Sequence, residues 1–273
     1  MLDVILRTCD KVYSLHEAAS ETKHRMPDAK TKKIEIILRC VNSLVKSMNQ
    51  IDEGLRLIVI DDHSTKLSQI KKVVENCKHP TEIISLDDTG NGASMYACFK
   101  WAKDNGRDLL FFVEDDYLHD IDCVSEMLYE YDFFKMKLDH EIAFFPYDDM
   151  DNYMQSQKNA IPCNIGTGQK RHWRTTVFST YTFFCSKELL ERYWYLFAMT
   201  EDYGKDPNVD EATTINLIWE APYRNAGGAF LLSPIPSLSL HFHFKDHLSP
   251  FIDWRDWWDK SALERGLKES NKN

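Results

Sequence analysis

Hydrophobic and polar positions along the first 117 residues follow two alternating periods. Short apolar runs read as strands: 3–7, Leu55-Arg56-Leu57-Ile58-Val59-Ile60, Glu82-Ile83-Ile84-Ser85-Leu86 and Leu109-Leu110-Phe111-Phe112-Val113. Between them the apolar positions recur at helical spacing. Ile34, Ile37, Leu38, Val41, Leu44, Val45 and Met48 predict one amphipathic helix, stopped by Gly54; 67–77 and 93–103 predict two more. Strands separated by helices of this length predict βαβ units, a parallel sheet and right-handed crossovers. The second half is less regular. It predicts a helix over 121–138, a strand over 142–146, a polar loop over 148–172 and an aromatic, β-branched strand over 176–185. Helices over 187–197 and 210–219 follow, then an alternating strand over 237–244 and a polar aromatic tail. One domain with two subregions, divided near residue 117, is the economical reading.

Composition narrows the function classes. The 273 residues carry 33 Lys and Arg against 43 Asp and Glu, a net charge of −10. No strong basic run is present, which argues against a nucleic-acid binder. The seven cysteines are scattered with no C-x-x-C pair, which argues against a zinc knuckle or disulfide framework and for a reducing compartment. No run of 18 apolar residues exists, so no membrane span is expected, and the N-terminus is charged too early for a signal peptide. A cytoplasmic location is the expectation.

Ligands bind open parallel sheets at the carboxyl ends of the strands. Two strands end there in acidic clusters: Asp61-Asp62 and Glu114-Asp115-Asp116. A solvated turn or helix cap is the ordinary reason for such an end, and Ser64 and Thr65 favour it at Asp61-Asp62. Three carboxylates after five apolar residues ask for a cation, and hard oxygen donors suit Mn²⁺ or Mg²⁺. Late in the chain, Ser239, His241 and His243 share one strand face, offering imidazoles to a metal. Asp210-Glu211 opens the last predicted helix, either as dipole-favoured acids or as a general base. Lys170-Arg171-His172-Trp173-Arg174 is the densest basic cluster, adjoining Gly166 and Gly168. It would serve as a solvated loop or close over a pyrophosphate.

These motifs occur in a telling order. A strand ending at Thr8-Cys9-Asp10 precedes one ending at Asp61-Asp62-His63-Ser64, then Gly90-Asn91-Gly92-Ala93-Ser94, then Phe112-Val113-Glu114-Asp115-Asp116. Over about the first 120 residues this resembles the nucleotide-binding half of family 2 glycosyltransferases with the GT-A fold. The resemblance implies an α/β chain with a mostly parallel, Rossmann-like central sheet. It implies a catalytic domain over 1–244, with a nucleotide-sugar half (1–117), an acceptor half (118–244) and a partly helical tail (245–273). The implied activity is metal-dependent transfer of a sugar from a nucleotide-diphosphate donor, with UDP the family-weighted choice, to a hydroxyl of a glycan or other acceptor, with inversion. Arg7, Thr8 and Cys9 would then line base and ribose, Asp62 would accept from the base imide, and Gly90 and Gly92 would lie along the nucleotide. Asp115 would sit near ribose or metal. Asp116 of the Asp-x-Asp-like motif and His243, or else His241, would hold Mn²⁺ or Mg²⁺. Glu211, with Asp210 beside it, would be the base; from the basic cluster, Arg174 is the residue expected to close over the diphosphate.

Departures are visible too. The acidic motif begins with Glu, the acidic pair reads Asp-Glu, and Glu201-Asp202 competes for the base role. A nucleotidyltransferase and a non-catalytic glycan- or partner-binding module are the rivals. The first lacks a Gly-rich loop after strand one. For the second, Trp254, Trp257 and Trp258 would provide the recognition surface, although packing of the tail explains them more simply.

Overall fold

The computed structural model describes residues 1–11, 31–87, 90–153, 163–242 and 248–263. The first elements are β1 (Leu2–Thr8), α1 (Lys33–Met48), β2 (Leu55–Asp61), α2 (Leu67–Val74), β3 (Thr81–Ser85), α3 (Asn91–Asn105) and β4 (Leu109–Glu114). β3, β2, β1 and β4 lie side by side and all parallel. Leu2 stands beside Leu55 and Leu109, so Thr8 falls beside Asp61 and Arg7 beside Glu114. The register therefore brings the polar ends of three strands to one edge. β1 is covered on both faces, which is why its pattern is a continuous apolar run. Its one buried charge, Asp3, lies at the opposite end and is held by Arg56 (3.1 and 2.8 Å) and Arg107 (2.7 Å).

The second half extends the same sheet. It contributes β5 (Tyr117–His119), α4 (Cys123–Leu138), β6 (Ile142–Phe144), β7 (Ile165–Thr167), β8 (His172–Thr176), β9 (Phe183–Ser186), α5 (Lys187–Arg192), α6 (Trp194–Met199), α7 (Ala221–Asn225), β10 (Phe230–Ile235), β11 (Ser239–His241) and α8 (Trp254–Lys260). The nine-stranded order is β3-β2-β1-β4-β9-β6-β10-β8-β7, with β9 and β8 antiparallel to their neighbours; β5 and β11 form a separate ribbon. α1, α2 and α4 bury their apolar stripes on one face, while α3, α5 and α6 cover the other. This is an α/β three-layer fold with a parallel core.

Several expected elements differ in form. The loop over 148–172 holds β7 and the start of β8. The single strand over 176–185 is instead the end of β8, an irregular stretch, and β9. The helix over 187–197 breaks at Tyr193, whose hydroxyl donates to the carbonyls of Tyr223 (3.1 Å) and Ala226 (3.0 Å). Residues 210–214 form turns before a 3₁₀ segment, Ile215–Trp219. Asp210 accepts from Thr213 N (2.8 Å) and Thr214 Oγ1 donates to Asp210 O, local bonds that compete with a helix.

The tail is fastened by one face of α1. Arg39 donates to Trp258 O (2.6 Å), Asn42 to Ser261 O (3.0 Å) and Lys46 to Lys260 O (2.8 Å), satisfying carbonyls at the end of α8. The Arg39 guanidinium also lies 4.2 Å from the Trp258 ring, whose other contact is the buried Phe242. The tryptophans thus pack the tail onto the core.

Candidate active site

The polar strand ends converge at the carboxyl edge of the sheet. Arg7 is the hub. Its Nη2 donates to Glu114 Oε1 at 2.7 Å, its Nη1 reaches Ser94 Oγ (3.2 Å) and the Asn91 side chain, and its guanidinium lies 4.9 Å from the Tyr181 ring. Burial opposes this charge, but Glu114 and its neighbours hold the arginine well above its usual value. The other Glu114 carboxylate oxygen, Oε2, is buried and has no hydrogen-bond partner among the described residues. Asp115 accepts from Cys9 N at 2.7 Å. Burial, with Asp116 beside it, pushes Asp115 up to about 7 against the pull of Lys33, the Cys9 N–H and Arg7.

Asp116 faces the ribbon. Its Oδ2 is 3.3 Å from His241 Nε2, and its carbonyl accepts from Phe242 N at 2.9 Å. β11 opposite β5 fixes this pairing, because His241 stands across from Tyr117 and stacks on its ring at 4.4 Å. Burial alone would lower the imidazole. The Asp116 carboxylate, with Glu114 and Asp149 behind it, overrides that and raises it. Glu211 belongs to the same field. Burial raises its carboxyl, Glu114 and Asp210 add to the effect, and its own N–H and Arg7 oppose it. Tyr203 is held up to about 12 by burial and by the nearby charges of Glu211 and Glu114.

Other expected residues take different positions. Thr8 is fully buried, donating to Asp61 Oδ1 at 2.8 Å, and Asp62 is 1% exposed. Asp62 accepts from Gly90 N (3.0 Å) and pairs with His63 Nδ1 (3.0 Å), so it ties the Gly90 turn to β2 rather than facing an open cleft. Gly90 adopts φ 111°, a conformation that favours glycine. Gly92 serves packing: a Cβ there would meet the carbonyls of Tyr203, Glu201 and Thr200 at 2.6, 2.7 and 2.8 Å.

Arg174 is a correction. It lies on β8 opposite Ser233 of β10, against the 147–148 segment. It is buried, pairs with Asp148 at 3.2 Å and stacks on Tyr153. Arg171 is likewise spent, on Glu126 and the Pro236 carbonyl. Arg171 and Arg174 thus serve as ion-pair partners that hold the fold together. Asp210 is an exposed turn cap, and Glu201 and Asp202 are exposed as well. His243 lies outside the described residues.

Tyr181, Lys33 and Tyr203 join the site without having been singled out. Tyr181 was concealed inside an expected continuous strand, Lys33 inside a charge-rich stretch. No spacing marks Tyr203, which acts through the turn packed on Gly92.

Among the described residues, no three His, Cys, Asp or Glu side chains form a ready-made cation cage. One carboxylate and one imidazole, Asp116 and His241, stand together. The carboxylate suits Mn²⁺ or Mg²⁺ completed by substrate oxygens and water, whereas the imidazole is a softer donor that fits Mg²⁺ poorly.

Residues 31–194 match the model of glycosyl transferase family 2. No curated protein matches the chain. Solved structures similar to it include S. aureus TarS 1–349, with 16% identity, 73% of this chain and 54% of that one covered, and a TM-score of 0.41. The same TarS segment in complex with UDP gives 15%, 73%, 54% and 0.40. The glycosyltransferase GlyE of Streptococcus pneumoniae TIGR4 gives 12%, 96%, 60% and 0.46. The chain thus spans about half the length of the TarS segment. With the family matched over more than half of its residues, the chain belongs to glycosyl transferase family 2.

Proposed function

We propose that the chain transfers a sugar from a nucleotide-diphosphate donor, a UDP-sugar as the family resemblance suggests, to a hydroxyl acceptor with inversion at the anomeric carbon. One observation carries this reading: Asp116 with His241, Asp115, Arg7 and Glu211 all lie within one electrostatic neighbourhood at the carboxyl edge of the sheet. Asp116 and His241 are the residues that would hold Mn²⁺ or Mg²⁺. The cation would neutralise charge developing on the departing diphosphate. Asp115, raised to about 7, would meet a ribose hydroxyl or water near that cation. Arg7, fixed by Glu114 and Asn91, would offset part of the carboxylate charge gathered at this edge when an anionic donor binds.

Glu211 takes the acceptor proton. Its carboxylate receives the hydroxyl hydrogen as the acceptor oxygen attacks the anomeric carbon. The bond from that carbon to the diphosphate oxygen breaks on the opposite face, which inverts the configuration. Raising a carboxyl by burial and like charge brings a general base closer to neutral pH, where it is most effective. Holding donor and acceptor on one sheet edge supplies orientation as well.

A thermal-shift panel of nucleotide sugars with and without Mn²⁺ tests the reading. Stabilisation by one nucleotide class, only with the cation present, is expected. Absence of any nucleotide-dependent shift would instead favour a non-catalytic module.

A further inference from the structure

The turn that follows β2 is fastened on several sides. Asp62 N donates to Thr8 O (2.9 Å), and Asp10 N donates to Ser64 Oγ (3.2 Å). The Asp10 carboxylate accepts in return from Thr65 N (2.6 Å) and Lys66 N (2.8 Å). Asp62 Oδ2 accepts from Gly90 N, and the carbonyl of the next residue, Asn91, accepts from Arg7 Nη1 at 3.3 Å. An unbroken series of contacts thus joins the turn at 62–65 to the Arg7 hub, on the carboxyl edge of the sheet.

His63 is the residue that this turn presents. It takes φ 57°, in the left-handed region, where a side chain costs backbone energy that glycine would avoid. Strain of this kind collects at functional sites. The side chain is 32% exposed, and its Nδ1 is 3.0 Å from Asp62 Oδ1. A carboxylate only accepts, so the pairing places a proton on Nδ1 and leaves Nε2 of the neutral ring as an acceptor. No described residue bonds to Nε2, and unlike the buried Nε2 of His119 it is not shut away from solvent. Asp62 itself is buried, with one oxygen on His63 and the other on Gly90 N. The edge therefore offers an oriented acceptor, His63 Nε2, where the carboxylate behind it cannot act directly.

We propose that His63 reads the base of the donor, accepting a ring N–H through Nε2 while Asp62 holds the imidazole from behind. This rests on the nucleotide-donor reading above and deepens it: the base is one that carries an N–H at the centre of its pairing edge, as uracil and guanine do. Cytosine and adenine carry a lone pair at that position, which would face the lone pair of Nε2. A site built around one hydrogen bond discriminates strongly against a ligand that leaves its polar group unpaired. The placement suits an extended ligand. β1 stands between β2 and β4, so His63 and Asp116 follow strands on opposite sides of it, the first placed for a base and the second for a cation on the diphosphate.

The test is calorimetric titration of the full chain, at mildly alkaline pH, with UDP, GDP, CDP and ADP, each with Mn²⁺. UDP or GDP should bind at least about tenfold more tightly than CDP and ADP. Methylating the ring N–H of the preferred nucleotide, as 3-methyl-UDP or 1-methyl-GDP, should remove that advantage. His63→Gly, which suits the backbone at φ 57°, should keep or raise Tm yet bind the four nucleotides alike. Four nucleotides bound alike by the native chain, a preference for CDP or ADP, or a preference that survives methylation or His63→Gly would overturn this inference and leave the donor reading standing. Binding of no nucleotide would overturn both. Should His63→Gly fold poorly, the methylated nucleotide on the native chain decides it.

Discussion

Glu211 illustrates how a side chain's chemistry depends on its neighbours. Burial and the Glu114 charge lift its carboxyl above the ordinary range, although Arg7 pulls the other way. A base must be ionised to act, so kcat/KM should rise with pH through this raised pKa and level off above it. Glu211→Gln should lower kcat by ~10²–10⁴ with donor KM nearly unchanged, the loss usual for a missing general base. It should also remove the acidic limb from the pH profile. A variant with near-normal kcat and the same limb would transfer the role to another carboxylate. Its neighbour Asp210 is the useful contrast. Exposed and bound to Thr213 N, Asp210 should tolerate Asn with little change in rate, measured in the same assay.

The elements show where pattern reading succeeds and where it stops. β1, β2 and β4 were legible because burial on both faces leaves an apolar run with little ambiguity, and their polar ends marked the site edge. The second half was harder. Its short strands pair with distant partners, as β9 does with β4, so local pattern under-determines them. The basic cluster misled for a related reason. Charge density is visible in sequence, but the buried partners Asp148 and Glu126 are not. Arg174→Ala should therefore leave donor KM unchanged and cost ~3–5 kcal/mol of stability, the penalty for stranding a buried charge. That deficit has a sign with pH. Burial raises Asp148 to about 6, so the folded protein accepts a proton there before the unfolded chain does. Arg174 already pulls that carboxyl down, so in Arg174→Ala it lies higher still, and the deficit measured by denaturant melts should shrink as pH falls toward about 6. A constant deficit would contradict it. Gly92→Ala should cost ~1–3 kcal/mol by overpacking against the 200–203 carbonyls, read as a lowered Tm.

At the scale of the whole molecule, one sheet collects groups from residues more than 200 positions apart. Arg7 and Glu211 share a field because β1 and the 200–211 segment both border α3, the latter through the close approach at Gly92. Asp116 meets His241 only because β11 returns to pair with β5, while the tail helix locks onto α1 on the far side of that ribbon. Among the described residues no helix is long and apolar enough to cross a membrane. The test closest to the centre of this picture is donor turnover by purified protein with and without Mn²⁺, compared between the native chain and Asp116→Ala. Cation-dependent release of UDP by the native chain, abolished by chelation and reduced at least 100-fold in Asp116→Ala, is the expected result. Equal turnover by the two proteins, or turnover indifferent to the cation, would contradict it.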